Sequence, residues 1–503
     1  MNMTIKMLDN ECWYGLVTAH GTKMPFDQSS VYKHHATTQF TGNGEAPIMV
    51  SSCGRYLWSD SPYDVDITDG VISISNAADD FELCEGFGSM REAFLAAAKA
   101  HFPANGEIPP ENFFLKPQYN TWAELIYDQS QPSILRYAHG IIENNLPAGI
   151  LMIDDGWMSY YGSRDFHPAR FTDPRAMFRE LHELGFEVML WMCPFISPDS
   201  PEFRELSSKG MLVVDKNDRI AIRNWWNGYS AILDMSNPKT CEWLDEMLAY
   251  LMELGADGFK FDAGDVYYYK DDDKTYGGVT AHRQCELWAE LGLKYRYNEY
   301  RASYKCGGLP LVERLCDKSH QWESVGRLVP DALCQGIIGY PYCCPDMIGG
   351  GSFTDFLPGA PSLKPALFAR YAEVAALMPM MQYSAAPWRV LDEFHAEICR
   401  NAGRIHLKFA DTIIGLAKEA SRTNEPIMRY MEYVFPHQGF ERVTDQFMLG
   451  DGILVAPVVN DGETTRSVKL PEGKWEYIDG SVYDGGEVTV PAPIEVLPYF
   501  IKR

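Results

Sequence analysis

A chain of 503 residues with 46% apolar and 22% charged residues has the composition of a folded globular protein, and it is too long for a single hydrophobic core. Its net charge of −25 excludes a nucleic-acid partner, whose phosphates demand clustered Lys and Arg, and disfavours an anionic membrane surface. No stretch reaches the roughly 18 consecutive apolar residues of a membrane helix.

Short alternating stretches at 46–50, 56–58 and 70–75, separated by Gly, Pro, Asn and Asp, predict an N-terminal β-sandwich over residues 1–110. A helix over 89–102 follows, and Pro103-Ala-Asn-Gly-Glu-Ile-Pro-Pro110 reads as a linker. The rhythm then changes to strand, loop, helix, repeated. Strands are predicted at 113–118, 149–153, 187–192 and 255–261, with helices at 130–144, 174–184 and 238–254. This succession predicts an α/β fold, a (β/α)8 TIM barrel over 111–420. A doubly wound open sheet is the alternative. It would want a Gly-rich phosphate turn after an early strand, whereas the second strand runs into Asp154-Asp-Gly-Trp157. A helix over 393–420 closes the region. Strands at 447–457, 467–475 and 488–500 then predict a C-terminal antiparallel β domain over 421–503.

Aromatic residues make up 13% of the chain, with 12 Trp and 28 Tyr. Such rings stack on the C–H faces of sugars and equally fill β-rich cores, and both readings stay open. The twelve Cys include no C-x-x-C spacing, which predicts core thiols rather than a disulfide framework or a zinc site. The first ten residues hold no apolar signal-peptide core. The expectation is a cytoplasmic enzyme with a small-molecule partner and no cofactor; homo-oligomerisation stays open.

Gly258-Phe-Lys-Phe-Asp-Ala-Gly-Asp265 carries most information. An apolar strand ends abruptly at Asp262, where barrel enzymes place their chemistry. Lys260, two residues upstream on the same strand face, would hold Asp262 charged or form a structural pair with it. A second apolar strand, from Leu311, ends in charge at Asp317, with Arg314 and Trp322 nearby. Paired carboxyl groups suit glycoside transfer, in which an ionised acid attacks carbon and a protonated one releases the leaving oxygen. Spacing alone is a weak signal here and reads Asp317 as a surface acid more often than as a catalytic one.

Lys260-Phe-Asp-Ala-Gly-Asp265 resembles the nucleophile motif of glycoside hydrolase family 31 in its K-x-D-x-G-[ED] variant. Leu311-Val-Glu-Arg-Leu-Cys-Asp-Lys-Ser-His-Gln-Trp322 resembles that family's acid/base segment. Gly339-Tyr-Pro-Tyr-Cys-Cys-Pro-Asp-Met-Ile-Gly-Gly350 is similar to its D-I-G-G signature with Met347 added. Asp445-Gln-Phe-Met-Leu-Gly-Asp-Gly-Ile-Leu-Val-Ala-Pro-Val458 is similar to a family strand pair. The likeness runs from about residue 112 to the end. It implies a retaining, exo-acting α-glycosidase with Asp262 as nucleophile on the fourth strand and Asp317 as acid/base on the sixth. It further implies that Asp154 and Asp155 grip the terminal sugar, or cap an Asx turn. Asp346 would order or contact that sugar, and Trp226 would wall a subsite. Asp265 reads as a loop organiser. Trp191 reads as pocket floor or core, and Lys260, Arg314 and Trp388 as further sugar contacts.

Two departures bear on the glycone. Lys260 stands where family α-glucosidases have Trp. Pro379-Met-Met-Gln-Tyr-Ser-Ala-Ala-Pro-Trp388 places Ser384 where they have a sugar-binding His. Both resemble the subgroup that contains bacterial α-galactosidases, so an α-galactoside is expected ahead of an α-glucoside or α-xyloside. Transglycosylation through the same intermediate stays open. The rivals from other classes are a metal-dependent barrel with Asp154, Asp155, Asp262 and Asp265 as an oxygen cage, and a non-catalytic sugar-binding protein.

Overall fold

The computed structural model describes residues 2–36, 39 and 41–503. Eight parallel strands form its centre: β1 (Gln118–Asn120), β2 (Ile150–Ile153), β3 (Glu187–Met192), β4 (Gly258–Phe261), β5 (Tyr297–Tyr300), β6 (Val312–Arg314), β7 (Cys343–Cys344 continued by Met347–Ile348) and β8 (Gln382–Tyr383). Neighbours pair in chain order, and β8 pairs back to β1, so the ring closes as a TIM barrel. β7 is broken in the middle. Its first half pairs with β6 and its second with β8, and Asp346 between them adopts a left-handed φ of 69°.

The barrel strands are buried along nearly their whole length, which is why they read as near-continuous apolar runs. β4 shows how tightly the ring closes: a Cβ on Gly258 would lie 2.0 Å from the carbonyl oxygen of Tyr297. The helix Pro238–Leu254 delivers the chain to β4. Asn237 caps its start by accepting from the Lys239 N–H, and Gly255 ends it.

Before the barrel lie two four-stranded antiparallel sheets. One is ordered Met3–Lys6, Val71–Ser75, Asp64–Thr68, Tyr32–His34; the other Trp13–Val17, Glu45–Ser51, Tyr56–Ser59, Phe81–Cys84. After it, the helix Glu393–Thr423 leads to a six-stranded antiparallel sheet. The core is continuous from the N-terminal sheets through the barrel. The C-terminal sheet adds its own cluster around Phe435, Met448, Trp475 and Phe500. Among the described residues no helix is long and apolar enough to cross a membrane.

Two local expectations are corrected. The strand expected over 113–118 is a helical turn, Asn112–Leu115, and the strand begins only at Gln118. Pro117 has no N–H to give a ladder, whereas the Gln118 N–H donates to Met381 O at 2.8 Å. Between β3 and the helix Pro238–Leu254 the chain also inserts a small antiparallel sheet, Phe195–Ile196, Gly228–Ile232 and Ile222–Trp225, which overhangs the barrel mouth.

Candidate active site

The C-terminal ends of the strands open into a cavity of about 530 Å³. Asp154 (β2), Trp191 (β3), Lys260 and Asp262 (β4), Arg301 (β5), and Arg314 and Asp317 (β6) all line it, with Asp155 and Trp226.

Asp262 sits immediately after β4. Its Oδ2 accepts from Trp191 Nε1 at 2.8 Å and its Oδ1 from the Ala263 N–H at 2.9 Å. Arg314 Nη2 stands 3.3 Å and Arg301 Nε 3.4 Å from Oδ1. Burial alone would push this carboxyl upward. The positive charges of Arg301, Arg314 and Lys260 outweigh it and hold Asp262 well below the ordinary carboxylate range.

Arg314 ties the second acid to the first. Its Nη1 donates to Asp317 Oδ1 at 2.7 Å while its Nη2 faces Asp262, so the two carboxylates stand on the two amino groups of one guanidinium. Asp317 lies three residues beyond the strand end rather than on it, and its side chain is 55% exposed to the cavity mouth. Crowding by surrounding atoms raises its pKa, Arg314 lowers it more, and the charge of Asp262 raises it again; the net direction is downward. The expectation of an environment that keeps this acid protonated is therefore not met, because its nearest charge is a cation.

Lys260 is corrected in its partner. Its Nζ donates to Asp154 Oδ2 at 2.7 Å, not to Asp262, which it influences only through space. Asp154 Oδ2 also accepts from Asn120 Nδ2 at 2.7 Å, and its Oδ1 takes the Asp155 N–H at 2.8 Å. Asp155 Oδ2 receives Asn227 Nδ2 at 2.6 Å and the Tyr161 hydroxyl at 3.2 Å, while its buried Oδ1 has no partner among the described residues. Burial, then the neighbouring Asp154, pushes Asp155 up to about 7.

Trp226 hangs over the mouth from the inserted sheet, and the guanidinium of Arg301 lies over its ring, 4.4 Å from the centroid. Arg301 also pairs with Asp265, which fits the reading of Asp265 as a loop organiser. Sequence reasoning missed Arg301, and it met Asn227 only as part of the family-like Trp226-Asn-Gly stretch, with no role attached. Arg301 follows β5 as Asp262 follows β4, a charge at a strand end; Asn227 carries no such signal.

Two expected sugar contacts lie elsewhere. Asp346 is fully buried behind Arg314, 3.2 Å from Nη1, and does not line the cavity; burial and the charge of Asp317 push it up to about 6. Trp388 packs against Tyr137, ring centroids 6.0 Å apart, and lines a separate cavity of about 580 Å³ with Glu124 and Arg389. The helix Trp122–Leu125 contributes Trp122 to the first cavity and Glu124 and Leu125 to the second. Ser384 likewise points away, accepting the Ala123 N–H at 2.7 Å. Among the described residues no three His, Cys, Asp or Glu side chains gather as a metal site, and Lys260, Arg301 and Arg314 occupy the space between the acids of the expected oxygen cage.

A closed parallel barrel with acids at the C-terminal ends of its strands is the architecture of barrel enzymes. Residues 116–305 match the model of the glycosyl hydrolases family 31 TIM-barrel domain, and residues 424–503 that of the glycosyl hydrolase family 31 C-terminal domain. The chain belongs to glycoside hydrolase family 31. It is 32% identical over 419 residues to the myogenesis-regulating glycosidase of Mus musculus, covering 80% of this chain and 58% of that protein. It is 25% identical over 382 residues to alpha-xylosidase XylQ of Lactiplantibacillus pentosus, covering 71% and 48%. The chain thus spans about half the length of the curated relatives it matches. The fold superposes on the Flavobacterium johnsoniae GH31 dextranase complexed with glucose with a TM-score of 0.86 at 20% identity, over all of this chain and 66% of that one.

Proposed function

We propose that this chain is a retaining, exo-acting α-glycoside hydrolase that removes a terminal α-linked sugar, with an α-galactoside preferred. The observation that carries the reading is the single guanidinium of Arg314 shared by Asp262 and Asp317 in one cavity. Retention requires two carboxyl groups about 5–5.5 Å apart, a separation that two acids paired to one such group can adopt. Asp262, held ionised, attacks the anomeric carbon from the β face. The glycosidic oxygen takes the proton of Asp317 as its bond to that carbon breaks, leaving a β-linked glycosyl ester. Asp317, now a carboxylate, takes a proton from the water that attacks the same carbon, and Asp262 leaves as carboxylate with the sugar in its original α configuration.

Arg314 holds the Asp317 carboxyl low, so the cycle needs the proton to be loaded as substrate binds. An aglycone seated over Asp317 strips water from its exposed carboxyl, which raises its pKa and loads the proton. Once Asp262 is esterified its negative charge is gone, and with it one of the influences that raise Asp317. The acid then becomes the base when a base is needed. Asp154 and Asp155 both line the cavity, which supports reading them as the acids that receive sugar hydroxyls.

The α-galactoside preference rests on Lys260 in place of a Trp and on Ser384 in place of a His. The Ser384 hydroxyl accepts the Ala123 N–H and does not line the cavity. Relatives named alpha-xylosidase and alpha-glucosidase favour the second reading, an α-xyloside or α-glucoside on the same machinery. Hydrolysis of 4-nitrophenyl α-galactoside, α-glucoside, α-xyloside and α-N-acetylgalactosaminide, with proton NMR of the first-formed anomer, decides between them. The expected result is fastest release from the galactoside, α-anomer first, and loss of about 10⁴-fold in Asp262→Ala. A first-formed β-anomer, or activity surviving in Asp262→Ala, overturns the mechanism.

A further inference from the structure

Asn43 does not belong to the barrel. It lies between two strands of the N-terminal sheets, Tyr32–His34 and Glu45–Ser51, yet its side chain is 2% exposed and buried at the barrel mouth. Its carboxamide makes three hydrogen bonds, all to the ends of β5 and β6. Nδ2 donates to Arg314 O at 2.8 Å and to Arg301 O at 3.3 Å, and Oδ1 accepts the Cys316 N–H at 2.9 Å. Two carbonyls and one N–H match one amide orientation only, since the flipped group would set oxygen against oxygen.

The partners are the backbones of both arginines that face Asp262 and of the residue immediately before Asp317. The segment that carries Asn43 is itself anchored. The Glu45 N–H donates to Ser303 O at 3.0 Å, the Lys305 N–H to Glu45 O at 3.0 Å, and the Thr18 N–H to Gly44 O at 3.2 Å. A Cβ on Gly44 would come within 2.9 Å of Glu313 Oε1, so the segment sits flush against β6. Beyond β6 the chain follows no regular structure until the helix Trp322–Ile337. Asp317 therefore sits on a loop held on one side by the Cys316 N–H on Asn43 and on the other by Lys318 O, which accepts the Gly351 N–H at 3.0 Å.

We infer that Asn43 is a positioning residue for the acid. It clamps the β5 and β6 ends so that Arg314 presents Asp317 and Asp262 to one bond. The inference rests on the reading of Asp262 and Asp317 as the reacting pair. Placement errors of about 1 Å can cost about 100-fold in rate.

The test compares wild type, Asn43→Ala and Asn43→Asp on two α-glycosides of the same sugar, one with a 4-nitrophenyl and one with a methyl leaving group. Asp317→Ala serves as reference. Asn43→Asp is isosteric and keeps an acceptor for the Cys316 N–H while losing both donors, so it covers the case in which the alanine variant fails to fold. The expected result is a loss of about 100-fold in kcat/KM for the methyl glycoside, with a much smaller loss for the aryl one, because a poor leaving group needs the proton and an activated one does not. Crystal structures of the variants should show the fold kept and Asp317 moved off Arg314. Equal losses for both leaving groups would reduce Asn43 to a structural staple, and an undisturbed Arg314–Asp317 pair would overturn the clamp. If the wild-type protein turns over no α-glycoside, the functional reading fails by itself, and the variant structures still decide the clamp.

Discussion

Lys260 Nζ reaches from β4 to Asp154 Oδ2 on β2 at 2.7 Å, and both side chains are almost wholly buried. Removing one partner of such a pair leaves the other charge uncompensated, at a cost of about 3–5 kcal/mol. Lys260→Met should therefore lower thermal stability severely, and Lys260→Met with Asp154→Asn should recover part of the loss. Thermal unfolding of the two single variants and the double variant measures this coupling; strict additivity would mean that the pair contributes nothing.

Trp191 supplies the neutral donor to Asp262 Oδ2. Trp191→Phe keeps the aromatic wall and removes that donor, an interaction with a charged group worth about 1.5–3 kcal/mol. Turnover should fall between about 10- and 100-fold, since each 1.4 kcal/mol is about tenfold, and the melting temperature should fall as well, because the same donor and part of a fully buried ring are lost. An unchanged kcat would show that Asp262 is oriented by its arginines alone.

Asp262 was legible because it follows an apolar run that stops at a charge; Asp154 and Asp317 also follow short apolar runs, but their roles came from the family likeness. Asp154, Asp262 and Asp317 all sit beyond strand ends at the mouth of one barrel. Arg301 also follows a strand end, but Tyr297-Asn-Glu-Tyr300 is no apolar run and does not read as a buried strand, so that signal is missing. Asn43 was invisible for another reason: its partners lie 258 and 271 residues away and nothing local marks it, while Asn227 sits in a family-like stretch that does not reveal its partner 72 residues away. Asp346 and Trp388 show the converse. Motif order placed them near the site but says nothing of depth, and one lies behind Arg314 and the other outside the cavity.

Asp155 gives the site a pH signature. Its pKa is raised from an ordinary 3.8 to about 7, so between those values the folded protein holds a proton that the unfolded chain has lost. Stability contributed at this group falls as pH rises through that window and is constant above it. The melting-temperature difference between Asp155→Asn and wild type should grow from pH 4 to pH 7 and then flatten. Asp262 acts in the opposite sense: its lowered pKa stabilises the fold above the ordinary value and is lost only in strong acid. A pH-independent difference for Asp155→Asn would refute the assignment.

Gly264 explains the glycine of the nucleophile motif. Its φ is +76°, and a Cβ would lie 2.3 Å from Trp288 Cδ1. Gly264→Ala combines a left-handed backbone with a clash against a buried ring and should destabilise the protein by about 3 kcal/mol. Because the strain falls two residues from Asp262, turnover should drop in the same variant. Denaturant unfolding and kcat together check this, and a stable, fully active variant would contradict it.

Trp388 lies outside the first cavity and lines the second. Trp388→Ala removes packing against Tyr137 and should cost about 2 kcal/mol. It should leave KM for a small aryl glycoside essentially unaltered, since the ring lies outside the catalytic cavity. A large rise in KM would mean that the second cavity takes part in binding.

Ala19, Thr41 and Gly42, from the part of the chain that precedes the barrel, stand in the catalytic cavity wall beside Trp226 and Arg314. The barrel is therefore not a transplantable module. A chimera that exchanges the front sheets for those of a relative replaces one side of the pocket with them, and ligand preference should travel with the graft.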